Sequence, residues 1–327
     1  MKQKKIIIAG GSGFIGQALA NYFGTENEIV ILTRQLPHQK TNAFGAHQIL
    51  PAAMLHTRFV KWDGINTGGW CKELDGADLV INLAGKTVNC RYNEKNKQEI
   101  FNSRTHATSV MGEAIRTCIT PPKLWINAAS ATIYPHAIDT PRDESFTDFA
   151  NDFSVQVCKL WEQTFYAQRT PFTRKVALRM AITLGAGGVI TPYFNLLKFG
   201  LGGKQGSGKQ MYSWVHITDT CRMIEWLFEH SDLEGTFNCV SPGAVTNAAF
   251  MATLRKLTGH RVGLPAYGWM LAIGAPLIGT EAELVLKSRW VVPAKMLQSG
   301  FRFHYAELED ALREIVNNTP RRKYHLF

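Results

Sequence analysis

A parallel sheet wound by helices on both faces, with a smaller lobe toward the C-terminus, is the α/β architecture this 327-residue sequence predicts. Three observations carry that expectation. Short apolar runs alternate with longer amphipathic segments through the first half, the pattern of strands and helices in a doubly wound sheet. The first run enters the first helical segment through clustered glycines. After about Gly185 the alternation breaks down into glycine-rich loops and a Pro/Gly-rich apolar stretch, the mark of a second structural unit.

The elements follow in order. Strands are predicted at Lys5–Ala9, Glu28–Leu32, Thr57–Lys61, Leu79–Leu83, Leu124–Ala128 and Arg174–Arg179. Helices are predicted at Phe14–Phe23, Asn93–Arg116 and Phe153–Gln168, the first with Phe14, Ala18, Leu19, Tyr22 and Phe23 along one face. Gln35–His56, with scattered Pro, Gly and His, reads as an irregular excursion. Later come a strand-to-helix unit at Trp214–His230, a strand at Thr236–Val240, and helices at Asn247–Thr258 and Tyr305–Val316. The first domain is expected over residues 1–185, with a strand–helix return at about 212–241. A second lobe is expected over 186–327, including a C-terminal unit at about 245–320.

Composition narrows the classes. With 45% apolar and 19% charged residues this is an ordinary globular chain. No apolar run reaches the ~18 residues of a membrane span. The basic start, Met1 to Lys5, leads into a short apolar run that passes directly into glycines, so it is read as a strand and the protein as cytoplasmic. Six scattered cysteines form no CxxC pair and no zinc spacing with histidine, so reduced thiols and no metal are expected. A net charge of +10 would suit nucleic acid, but the cations are spread along the chain, and a pocket for an anionic small molecule is the preferred reading.

The glycine turn is the most informative segment. Ile6-Ile7-Ile8-Ala9 runs into Gly10-Gly11-Ser12-Gly13-Phe14-Ile15-Gly16, with Gly10, Gly13 and Gly16 three apart. Glycines permit a tight turn and close approach of a pyrophosphate, while the helix start offers free amides and a positive dipole end. Strand before and helix after are the context this dinucleotide-binding motif requires. The second strand ends Thr33-Arg34, where an NAD site usually has an acidic residue for the ribose hydroxyls. Arg34 would instead meet a 2′-phosphate, with Thr33 adding a hydroxyl, so the expected cofactor is NADP(H); a solvent-facing arginine is the alternative.

Further segments resemble the extended short-chain dehydrogenase/reductase family. They are Asn82-Leu83-Ala84-Gly85, Ser130-Ala131-Thr132-Ile133-Tyr134 and Trp214-Val215-His216-Ile217-Thr218-Asp219. Arg91-Tyr92-Asn93-Glu94, Lys97-Gln98-Glu99-Ile100, Ser103-Arg104, Trp161-Glu162, Gly200-Leu201-Gly202-Gly203, Gly206-Ser207-Gly208, Asn247 with Phe250, Pro293 and Gly300-Phe301-Arg302-Phe303 are similar to one epimerase-like subfamily, over essentially the whole chain. The resemblance implies a Rossmann fold with a small C-terminal domain of its own and a homodimer. It implies an NADP site lined by Thr33, Arg34, Leu83, Ala84, Glu99, Arg104 and Thr183, joining Gly10, Ser12, Gly13, Phe14, Ile15, Gly16 and Gly85. Glu99 would position Arg104 or accept a ribose hydroxyl.

The catalytic set departs from that family. Its tyrosine acts as acid/base, with a lysine four residues later lowering the phenol pKa from ~10. Aligned on Glu162, Ser154 and Cys158 occupy those positions, and Lys159 is rotated about 100° around the helix. Ser130 is the expected holder of the substrate oxygen. Arg91 and His216 are the other candidates, as an anion clamp or alternative acid/base, with a satisfied core histidine the competing reading of His216. Tyr134 is expected to be structural. Lys198, Lys204 and Lys209 in the glycine-rich stretch around 200–210 suggest a mobile lid over an anionic substrate, or a solvated connector. The function read from this is NADP(H)-dependent oxidation or epimerisation of a nucleotide sugar or other carbonyl or hydroxyl compound. NADPH sensing with little catalysis is the rival.

Overall fold

A computed structural model describes residues 1–36, 56–268, 270 and 286–325. Most of the Gln35–His56 excursion and of the apolar stretch after Ala266 lies outside them. The core is a seven-stranded sheet of β1 (Lys5–Ala9), β2 (Glu28–Thr33), β3 (Thr57–Lys61), β4 (Leu79–Asn82), β5 (Leu124–Ser130), β6 (Arg174–Met180) and β10 (Gly235–Cys239). Every pairing is parallel, in the order β10-β6-β5-β4-β1-β2-β3. The other elements are α1 (Phe14–Phe23), α2 (Glu94–Arg116), α3 (Phe153–Ala167), β7 (Ile182–Leu184), α4 (Ile190–Lys198), β8 (Met211–Tyr212), β9 (Trp214–His216) and α5 (Ile217–Glu229). After β10 come β11 (Val245–Thr246), α6 (Asn247–Thr258), α7 (Ala294–Gln298) and α8 (Leu308–Asn317).

The apolar strands form because both faces are covered. Ile6, Ile8, Ile29, Ile31, Leu79 and Ile81 point to one side, against Leu19 and Phe23 of α1 and Met223, Ile224 and Leu227 of α5. Their neighbours Ile7, Val30, Leu32 and Val80 point to the other, with Trp125, against Ala107, Val110 and Met111 of α2 and Phe165 of α3. This is period-two alternation read through a sheet with no wet face. The predicted strands and helices recur within one to three residues at their ends, the largest shift being the start of α8.

The second half does not stay apart from the first. β10 returns to the main sheet as an edge strand on β6. Met296 of α7 and Phe301 are buried in the same cluster as α1 and α5. A separate cluster gathers Tyr193, Phe194, Trp214, Phe250, Leu254, Leu312 and Ile315 from α4, α6, α8 and β9. Among the described residues, no helix is long and apolar enough to cross a membrane, and no group of three or more His, Cys, Asp and Glu is placed to hold a metal ion.

Candidate cofactor crevice and reaction site

In a parallel sheet every strand delivers its C-terminal end to one edge, and the order reverses between β1 and β4, where a crevice opens. Gly10, Arg34, Leu83–Gly85, Ser130 and Thr183 all lie at or just beyond such ends.

The crevice is closed on backbone. Gly10 has φ +75°, and a Cβ there would stand 3.0–3.1 Å from the carbonyl of Leu83 and the amide of Ala84. A Cβ on Gly16 would stand 2.4 Å from the Cα of Gly11. Only glycine allows either approach. Gly13 is the N-cap of α1 and has no side chain to cap it, and no acidic residue sits in the first turn. The helix therefore presents an uncompensated positive end. Phe14 packs its ring on the Gly185–Gly188 loop, where a Cβ on Gly185 would approach it to 2.8 Å.

The β4 loop is held from beneath by buried amides. Asn82 Oδ1 accepts from Ala84 N at 3.1 Å, and Asn82 Nδ2 donates to Asn127 Oδ1 at 2.8 Å. Trp161 Nε1 donates to Thr108 Oγ1 at 3.1 Å in the same network. Gly85 lies against the Arg104 guanidinium, whose carbon would be 3.3 Å from a Cβ at that glycine. Arg104 donates to the carbonyls of Lys86 at 3.1 Å and Ile100 at 3.0 Å and stacks over Trp161 with 5.0 Å to the ring. Burial holds its pKa below the ordinary arginine value, and no carboxylate among the described residues pairs with it. A half-buried cation met by neutral oxygens, beside a glycine cradle and a bare helix start, fits an anionic dinucleotide.

One expected role is corrected, and the other expected residues are placed by their contacts. Glu99 does not position Arg104: it is exposed, it pairs with Lys86, and that cation lowers its pKa. Lys86, which also donates to Asn96 Oδ1 at 2.8 Å, was invisible in the periodicity because it lies in a loop. Thr33 is buried and donates its hydroxyl to the Gln35 carbonyl at 3.1 Å, so it holds the backbone that carries exposed Arg34. Thr183 is buried, with its hydroxyl on the Ala181 carbonyl at 3.4 Å. Arg91 is exposed on the loop before α2, where its carbonyl accepts from Asn96 Nδ2 at 2.7 Å.

His216 is used structurally rather than as an acid/base. Its Nδ1 accepts from Thr218 N at 3.2 Å, capping α5, and its Nε2 meets Glu314 Oε2 of α8 at 3.0 Å. Burial lowers its pKa and outweighs Glu314, so the ring is neutral with its proton on Nε2. The stretch around 200–210 is likewise no free lid. Gly203 N donates to Leu264 O at 3.0 Å, Gly206 N to Ala266 O at 2.8 Å, and Gln205 N to Asn247 Oδ1 at 2.7 Å. A Cβ on Gly203 would stand 2.5 Å from Leu264, so that glycine serves close packing.

At the far end of the crevice, Ser130 closes β5 and caps the short turn Ala131–Ile133, its Oγ accepting from Thr132 N at 3.2 Å. Ser154 and Cys158 are buried on the inner side of α3, and Lys159 is exposed on the outside, as the 100° rotation requires. Burial pushes the Cys158 thiol up to about 12. Tyr134 is fully buried and structural: it accepts from Arg179 at 2.8 Å and donates to Asn238 Oδ1 at 2.9 Å. Arg179 in turn makes a two-pronged buried pair with Glu162, at 2.7 and 2.8 Å. Sequence reading missed Arg289, which donates to the Thr132 carbonyl at 3.3 Å from 157 residues away.

A parallel α/β sheet with a glycine cradle at its switch point defines a dinucleotide-fold protein of the short-chain type. More particularly, the chain belongs to the NAD dependent epimerase/dehydratase family, whose model matches residues 6–239, and residues 268–315 match a domain of unknown function, DUF1731. It is 30% identical to human "Epimerase family protein SDR39U1" over 95% of this chain and 99% of that protein. It is also 30% identical to "Epimerase family protein YfhF" of Bacillus subtilis, over 95% and 97%. The crystal structure of human SDR39U1 (isoform 2) with NADPH superposes with a TM-score of 0.81 at 28% identity, covering 96% of this chain and 99% of that one.

Proposed function

We propose that this chain binds NADP(H) in the β1–β4 crevice and acts as an oxidoreductase or epimerase on a small anionic compound with a carbonyl or hydroxyl carbon, such as a nucleotide sugar. The Gly10 cradle carries the reading, because a left-handed backbone packed so tightly on Leu83 and Ala84 that a Cβ there would be strained leaves the strand end open to a close-lying ligand. The amides of Gly13–Gly16 would take the pyrophosphate, Arg104 would add a half-buried cation, and Arg34 would face the 2′-phosphate at the end of β2. The NADPH held by the human relative supports this assignment.

When bound, a reduced nicotinamide supplies hydride to an electrophilic carbon. Ser130 would hold the oxygen on that carbon by donating its hydroxyl proton in a hydrogen bond. Cys158, protonated at neutral pH, can donate but cannot serve as a base. That feature favours a second reading, in which the protein senses NADPH and turns over little.

NADPH titration followed by NADPH oxidation against carbonyl compounds and nucleotide sugars separates the two. Enzymatic function predicts turnover that Ser130→Ala lowers at least tenfold with NADPH affinity kept. Tight binding without turnover across the panel selects the sensor. Arg34→Asp is expected to weaken NADPH far more than NADH, and equal losses would remove Arg34 from the phosphate.

A further inference from the structure

The C-terminal ends of α4 and α6 and the short turn Arg321–Lys323 come together on the second lobe. His325 Nε2 donates to the Thr258 carbonyl at 2.8 Å, and its ring stacks on His260 with centroids 4.2 Å apart. Buried Tyr324 packs on Phe194 of α4, with centroids 5.3 Å apart. Leu264 N donates to Gly200 O at 2.8 Å, and Arg255 Nη1 to Gly202 O at 2.5 Å, so the chain after α6 lies along the chain after α4.

Three stretches are thus held side by side: 198–204, 255–264 and 321–325. Together they carry eight Lys and Arg residues and no Asp or Glu. Lys256 pairs with Glu309 of α8 at 3.0 Å. Lys204, Arg261, Arg321, Arg322 and Lys323 are exposed, and no carboxylate among the described residues pairs with them. The contacts of Tyr324, His325 and Leu264 hold these cations together against their mutual repulsion, which an anionic partner would relieve. Large apolar side chains stand among the charges. Phe199, next to Lys198, is 67% exposed; Val262, next to Arg261, is 69% exposed and Leu264 57%. Cations set around exposed apolar side chains suit a surface that is anionic outside and apolar beneath, as a bilayer is. Nucleic acid would meet the charges but would leave aliphatic Val262 and Leu264 without a partner.

We propose that this corner is a reversible docking surface for an anionic phospholipid bilayer. The cations meet the headgroups, while Phe199, Val262 and Leu264 enter the boundary between headgroups and acyl chains. No helix among the described residues is long and apolar enough to span the bilayer, so the chain would lie on it.

The test is flotation of the full chain with vesicles of phosphatidylcholine alone, and of phosphatidylcholine with about one-third phosphatidylglycerol. Binding to the anionic vesicles is expected to be at least tenfold tighter than to the neutral ones and to weaken as salt is raised. Combined Arg321→Glu, Arg322→Glu and Lys323→Glu should weaken it at least tenfold. Combined Phe199→Ser and Val262→Ser should weaken it at least threefold. All five positions are exposed, so thermal midpoints and NADPH affinity should match the wild type in both variants, which separates lost docking from a folding defect. No binding by the wild type, equal binding to neutral vesicles, or full binding by either variant overturns the proposal. Tighter binding to a DNA oligonucleotide, lost in the charge variant and kept in the apolar one, overturns it in favour of nucleic acid.

Discussion

At the glycine turn the crevice is shaped by backbone against backbone: Gly10 against Leu83 and Ala84, Gly16 against Gly11. At Ser130 it is shaped by side chains: Ser154, Cys158 and, from the far end of the chain, Arg289. The first end tolerates almost no substitution, because a Cβ has nowhere to go. The second lets residues exchange while the strand and helix that carry them stay where they are. A family can therefore keep its cofactor cradle and alter its chemistry. In this chain the difference is visible as an intact dinucleotide turn facing a helix without the usual tyrosine and lysine.

The largest effect should come from Gly10→Ala. A left-handed residue costs about 1–2 kcal/mol once it carries a Cβ, and here the backbone contact adds to that. An NADPH affinity loss of about 100-fold, roughly 3 kcal/mol, is expected by fluorescence titration. Affinity within threefold of the wild type would mean the turn is not where the cofactor lies.

Thiol chemistry gives an intermediate test at the other end. In the folded protein at pH 8, alkylation read by mass spectrometry should label partly accessible Cys71 and Cys90 and spare buried Cys158 until the chain unfolds. Rapid labelling of Cys158 in the native state would reveal an open site with an activated thiol, and the two ends would then be alike in being ligand-ready.

The smallest effect is electrostatic. The folded pKa of His216 is lowered, chiefly by burial. As pH falls through ~6.5, the unfolded chain takes up a proton that the folded ring refuses, so stability is lost on acidification and is present above that range. Asn at 216 can still cap α5 but does not titrate. His216→Asn should therefore flatten the stability curve between about pH 6.5 and 5, by ~1 kcal/mol or less, in denaturant melts. An unchanged slope would show that the Glu314 contact keeps the two titrations equal.

How much could be read in advance differs between these same regions. β1, the glycine spacing and α1 form one continuous stretch, so their geometry is written in neighbouring residues. Ser154 and Cys158 were legible as departures through the family resemblance aligned on Glu162, and helix periodicity added that Lys159 takes another face. The pairing of Glu99 with Lys86 in place of Arg104 was not legible, because Lys86 lies in a loop without periodicity. The glycines around 200–210 looked like a lid or a solvated connector, because sequence cannot tell a glycine that moves from one that lets Leu264 close in. His216 is spent on contacts to Thr218 and Glu314, and the second of these spans 98 residues.

Local pattern determined the strands, the helices and the dinucleotide turn, and the family resemblance marked where the tyrosine–lysine pair is absent. Each depends on residues within a few positions of one another, where backbone geometry and burial period act. Packing decided the rest: which cations stand together, which polar groups are consumed internally, and that a segment near residue 289 reaches the end of β5. Those outcomes depend on contacts between distant parts of the chain, and no local propensity encodes them.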